Sequence, residues 1–268
     1  MRLIDSHCHL QAGAFAADTA DVLAAARGAG VERVLAPGYD LPSSEESIKL
    51  ARAVGVDASV GAHPHVAEGS EAAWPQIVAL ASDPLVVAIG ETGLDYDRGF
   101  SSREAQLTSL ERHLRLATEL NKPAILHCRS KPGQRDAQDD LIRVLDLHKS
   151  AALLHSFSGP VDYAERALEM GIAISFSGLV FRAGEEASAQ VARLVPADRL
   201  LIETDSPYLP PPGAPKRRNE PRYVEITARW LAEQRGADPD ELGEQLIANY
   251  DRIFSRPPMP PDPSRGAR

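Results

Sequence analysis

The chain has 268 residues, 43% of them hydrophobic, which is enough to bury a sizeable core, and its net charge of −9 excludes a broad electrostatic grip on duplex nucleic acid, since that depends on Lys and Arg neutralising phosphates. No apolar run approaches the roughly 20 residues that cross a bilayer, and the N-terminus MRLIDSHCHL lacks a signal peptide's basic flank and apolar stretch, so no membrane partner and a cytoplasmic location are expected. Cys8 and Cys128 are too few for a disulfide framework.

Taken in chain order, short β-rich runs alternate with amphipathic stretches, the pattern of repeated βα units around a parallel sheet. Strands are expected at Leu3–Asp5, Val31–Ala36, Ala58–Gly61, Val86–Ile89, Ala124–His127, Ala152–His155, Ile172–Phe176 and Leu200–Glu203. Helices are expected at Thr19–Gly28, Ser44–Val54, Arg103–Leu120, Asp139–His148, Asp162–Met170 and Glu185–Leu194. Eight units predict an α/β fold of the TIM-type (β/α)8 barrel; a doubly wound open sheet would show fewer strands and a Gly-rich phosphate fingerprint at its first turn. Residues 1–254 therefore read as one barrel domain, with two helices between Arg222 and Phe254 packed outside it. Residues 255–268, SRPPMPPDPSRGAR, read as a disordered Pro-rich tail. The segment PYLPPPGAPKRRNEP after the eighth strand reads as a stiff, ordered loop on the active face.

In such barrels the residues just past the strands build the site. Asp5-Ser6-His7-Cys8-His9 ends the first strand, and period-two alternation sends His7 and His9 to one side, with Asp5 beneath them and Cys8 turned away. Glu91 follows strand four in IGETGLDY, His127 ends strand five in AILHCR, His155 ends strand six in LLHSFSG, and Asp205 follows strand eight in LLIETDSPY. Several separate apolar strands each delivering one ligand-type side chain is the arrangement of a metal site. Four imidazoles and two carboxylates exceed the needs of one catalytic ion, and a carboxylate such as Glu91 can bridge two, so two divalent cations are expected, with Mg, Mn or Zn all compatible. Asp95 and Tyr96 in GLDY read as structural support that orients a ligand histidine, with base stacking as the alternative.

The motifs HCH, GAHPH, IGETGLDY, LHCR, LHSFSG and ETDSPYL, followed by RRNEP, resemble those of the TatD-type metal-dependent deoxyribonucleases, from Ile4 to about Phe254. The resemblance implies His7, His9 and Asp205 on one metal, His127 and His155 on a second, and Glu91 bridging, with Asp205 beside the attacking water and Glu91 and Asp205 as the catalytic carboxylates. It implies hydrolysis of phosphodiester bonds, as a 3'-5' exonuclease on single-stranded DNA, and a monomer is expected. His63 and His65, with Pro64 stiffening the loop between them, and Arg218 in RRNEP are expected to contact substrate phosphate, while a loop-capping role stays open for the two histidines. Glu91 stands where lysine-bridged relatives of the superfamily carry a modified lysine, which favours the TatD-like group. The alternatives are a hydrolase of another ester, such as an aminoacyl ester, and a non-catalytic barrel whose metal serves stability only.

Overall fold

The structure, a computed structural model, describes residues 1–255. Eight parallel strands lie side by side in chain order: β1 (Leu3–Asp5), β2 (Val31–Pro37), β3 (Asp57–Val60), β4 (Val86–Asp95), β5 (Ala124–Arg129), β6 (Ala152–Leu154), β7 (Ala173–Phe176) and β8 (Leu200–Ile202). Seven helices alternate with them: α1 (Thr19–Gly28), α2 (Leu41–Val54), α3 (Ser70–Ala81), α4 (Arg103–Glu119), α5 (Asp136–Leu147), α6 (Val161–Glu169) and α7 (Ala187–Leu194). The chain leaves β8 into α8 (Val224–Arg235) and α9 (Pro239–Ile253). The barrel closes between the extensions of β1 and β8, where the Ser6 amide donates to the Ile202 carbonyl (3.0 Å), Asp205 to His7 (2.9 Å) and His9 to Ser206 (2.8 Å).

The strands are short and apolar because helices cover their outer faces and side chains fill the interior. The opposite end from the site is sealed by α9. There Asn249 Nδ2 donates to the carbonyls of Ala197 (2.6 Å) and Leu200 (2.8 Å), and the Tyr250 hydroxyl donates to Asp57 Oδ2 (2.8 Å).

Several boundaries differ from the sequence expectation. β4 does not stop at Ile89 but continues to Asp95 through Gly90 and Gly93, whose φ values of 128° and 136° are open to residues without a Cβ. α2 begins at Leu41 rather than Ser44, because Asp40 and Ser43 form a reciprocal capping box and Pro42 is tolerated in the first turn. α5 begins at Asp136 rather than Asp139, and α3, which carries an internal Pro75, is a helix that the pattern did not single out. β6 ends at Leu154, leaving His155 one residue beyond it. The tail expected over 255–268 lies, apart from Ser255, outside the described residues. Among the described residues no helix is long and apolar enough to cross a membrane.

Candidate metal centre

Past a bend at Ser6 the amides of successive residues alternate between neighbours, Cys8 to the Leu35 carbonyl of β2 (2.9 Å) and His9 to the Ser206 carbonyl beyond β8 (2.8 Å), and His7 and His9 share a face, their Nε2 atoms 3.3 Å apart. Asp5 fastens this extension to the one from β8. Its Oδ1 accepts from the amides of Thr204 (2.9 Å) and His7 (3.3 Å), and its Oδ2 from the Thr204 hydroxyl (2.5 Å). Burial pushes the Asp5 carboxyl up to about 8. Asp205 follows in a left-handed conformation (φ 54°), which turns its carboxylate toward His9.

All six expected ligands converge. On one side of Glu91, Oε2 lies 3.4 Å from His7 Nε2 and 3.8 Å from His9 Nε2, and Asp205 Oδ1 lies 3.3 Å from His9 Nε2. On the other side, Oε1 lies 3.2 Å from His127 Nδ1, 3.0 Å from His155 Nε2 and 3.3 Å from His63 Nε2. These atoms form three overlapping groups of metal-ligand spacing: His7, Glu91 and His155; His7, His9 and Asp205; His63, Glu91 and His127.

The hydrogen bonds made by the outer nitrogens decide what each imidazole offers. His155 directs Nδ1 at Glu203 Oε1 (3.1 Å), and His127 directs Nε2 at Asp95 Oδ2 (3.3 Å). If those nitrogens carry the protons, the lone pairs of His155 Nε2 and His127 Nδ1, 3.2 Å apart, point at each other and at Glu91. Two lone pairs at that distance repel unless a proton or a cation lies between them, so this donor set fits divalent metal. His63 differs. Its Nδ1 accepts from the His65 amide (3.1 Å), which places its proton on Nε2 and makes it a hydrogen-bond donor at the site.

The electrostatics follow from burial and partners. Burial opposes charge on Glu91, yet His63, His155 and His7 hold it well below the usual carboxylate range, and His9 does the same for Asp205 against its own burial. Burial lowers His7, and brings His63 down to about 4. Burial is outweighed at His155 by Glu91 and Glu203, and at His127 by Asp95 and Glu91, so both are raised. Cation binding there must displace protons.

The expected substrate residues divide. His63 sits in the cluster, while His65 is tied through Nε2 to Asp95 Oδ2 (2.8 Å) at its edge. Arg218 is held elsewhere: it makes on Asp18 the two-pronged contact (3.0 and 2.8 Å) expected for a phosphate, and it also donates to Glu220 and to the Ala14 carbonyl. Asp95 supports both His65 and His127, and its Oδ1 accepts from the amides of Asp97 (3.0 Å) and Arg98 (2.9 Å). Tyr96 points away, donating to Asp140 Oδ2 (2.8 Å). Two supporting residues escaped the sequence reading. Glu203 is fully buried behind His155, and buried His113 of α4 accepts from the Ala62 amide (3.0 Å) next to His63. A carboxylate at the end of the apolar run LLIE was the available signal for Glu203, since a buried charge requires a partner.

Residues 4–255 match the model of the family described as TatD related DNase. The 3'-5' ssDNA/RNA exonuclease TatD of Erwinia amylovora is 38% identical over 264 residues, spanning 94% of this chain and 99% of that protein. Its namesake from Escherichia coli K12 is 37% identical over 263 residues, spanning 94% and 98%. The crystal structure of YJJV, a TatD homolog from Escherichia coli K12, superposes with a TM-score of 0.84 at 28% identity, covering 96% of this chain and 99% of that one. With a family match along nearly its whole length and the motif residues gathered at one end of an eight-stranded barrel, this chain belongs to the TatD-related DNase family.

Proposed function

We propose that this chain is a divalent-metal-dependent hydrolase of phosphodiester bonds that acts as a 3'-5' exonuclease on single-stranded DNA and RNA. The observation that carries this reading is the division of ligand-type atoms between the two oxygens of one buried carboxylate, Glu91, which suits a pair of cations. The names of the relatives support the choice of bond and strand. His7, His9 and Asp205 would hold one ion and His127 and His155 the other, with Glu91 between them; mixed imidazole and carboxylate donors accept Mn, Mg or Zn. Divalent cations there supply Lewis acidity, which acidifies water and offsets phosphoryl charge.

The remaining work falls to the chain's own side chains. Asp205 is the more exposed carboxylate, 15% against 3% for Glu91, so it is the one that an entering water meets. Held anionic by His9, it orients that water toward phosphorus and accepts its proton. His63, a donor at Nε2, hydrogen-bonds a phosphoryl oxygen, and His65 lies at its side. Asp95 and Glu203 keep His127 and His155 in the orientations that face Glu91. All of these residues come from one chain, so a monomer suffices.

The test is cleavage of 3'- and 5'-labelled single-stranded oligonucleotides by metal-stripped protein reloaded with Mg, Mn or Zn. Cleavage should return with metal and release the 3' label first, and Glu91→Ala and Asp205→Ala should each lower kcat/KM by about 10²-fold or more. Cleavage undiminished in both variants contradicts the assigned roles. Failure of the wild type with every ion redirects the reading to another ester, such as an aminoacyl ester.

A further inference from the structure

The cluster around Glu91 accounts for the phosphate but leaves the rest of a nucleotide without a partner. Among the described residues few large hydrophobic side chains are exposed, and the two aromatic ones, Phe100 (66%) and Tyr208 (58%), both stand against histidines of the site. The Phe100 ring meets His65 edge to face at 4.8 Å and 70°. The Tyr208 ring meets His9 at 5.8 Å and 71°, and Tyr39, half-buried, meets the same imidazole at 5.5 Å and 69°.

These aromatics sit on different sides of the centre. His9 approaches Oε2 of Glu91, whereas His65 shares Asp95 with His127, which approaches Oε1. Both positions are anchored despite their exposure. The Tyr208 amide donates to the Asp205 carbonyl (2.9 Å), and its own carbonyl accepts from Asn219 Nδ2 (2.8 Å). Next to Phe100, the Ser101 hydroxyl donates to the His65 carbonyl (3.1 Å) and the Ser101 carbonyl accepts from Gln106 Nε2 (2.9 Å). A large ring exposed to water from an anchored stretch of backbone, beside an anion-handling centre, fits a ligand that joins a flat apolar face to a phosphodiester, and a nucleobase is such a face.

We infer that Phe100 and Tyr208 are stacking platforms for the nucleobases on the two sides of the scissile phosphate, with Tyr39 backing the Tyr208 side. A paired base already has both faces covered within the duplex, so platforms of this kind select unpaired strands without reading sequence. The assignment rests on the nuclease reading above and extends it to the substrate class that the site accepts.

The test is fluorescence anisotropy of metal-loaded protein with cleavage-resistant phosphorothioate oligonucleotides, comparing dT and rU strands with strands of the same length carrying abasic sugars at the two 3'-terminal positions. The wild type should prefer the base-bearing strand by about 10-fold or more, and Phe100→Ala and Tyr208→Ala should each reduce that preference by about 5-fold to 10-fold. Phe100→Trp and Tyr208→Trp, which keep a stacking face, should retain it. A preference seen with dT and rU alike places recognition on the base; a preference confined to one places it on the sugar and overturns the assignment. Equal affinity of the wild type for base-bearing and abasic strands, or an unchanged preference in both alanine variants, also overturns it. Cleavage is read separately on unmodified dT and rU strands: a wild type that shows the preference but cleaves neither of these upholds the platforms and defeats the nuclease reading, and one that cleaves them without the preference does the reverse.

Discussion

Glu203 is fully buried at the end of an otherwise apolar strand, and its Oε1 meets His155 Nδ1 at 3.1 Å while its Oε2 accepts from the Ser6 hydroxyl at 3.4 Å. This contact fixes which nitrogen of His155 faces Glu91, so Glu203 acts on the centre through another residue's orientation. Glu203→Ala should weaken Mn binding by about 10-fold to 100-fold, with turnover partly restored at saturating metal, and Glu203→Gln, which still accepts a hydrogen bond, should lose less. Isothermal titration calorimetry measures this, and an unchanged affinity in Glu203→Ala would remove the role. At this scale the sequence exposed the ligands because each ends or follows an apolar strand. It hid their supports, because the pairing of Glu203 with His155, or of His113 with Ala62, spans 48 and 51 residues and depends on how strands and helices come together. Arg218 shows the same limit from the other direction: a basic side chain in a loop reads as a phosphate ligand until Asp18 and Glu220 are found beside it.

Among the elements, β4 carries Glu91, and its length was the boundary least legible in the chain. Two glycines in IGETG look like a strand's end, since glycine weakens strand interiors. Here they permit the strand to continue. A Cβ on Gly93 would run into the His127 carbonyl, and φ of 136° is strained for any other residue, so glycine at this position lets β5 approach closely enough to present His127 to Glu91. Gly93→Ala should cost about 2–4 kcal/mol in urea unfolding and impair metal binding with it. Gly13→Ala, where an added Cβ meets nothing within 4 Å, should cost less than about 0.5 kcal/mol. Equal stability of the two variants would show that the close approach of β4 and β5 has no such requirement. The early starts of α2 and α5 were missed for smaller reasons: the true cap of α2, Asp40, lies four residues ahead of Ser44, and α5 starts after Arg135 with no side-chain cap to mark it.

At the level of the whole molecule, eight strands run in parallel and therefore deliver their C-terminal residues to one end, while α9 covers the other. The count of strands and the order of the ligand motifs were readable from alternation and spacing along the chain. The closure that brings His7 and His9 beside Asp205 was not, because the amide of Ser6 pairs with the carbonyl of Ile202 from nearly the other end of the sequence. That closure turns six dispersed side chains into one centre with Glu91 between two ligand sets. The direct measurement of this arrangement is the anomalous scattering of Mn-soaked crystals. Two peaks per chain are predicted, about 3.5–4 Å apart, one beside His7, His9 and Asp205 and the other beside His127 and His155, with an oxygen of Glu91 on each. A single peak, or peaks away from Glu91, would contradict the bridged pair.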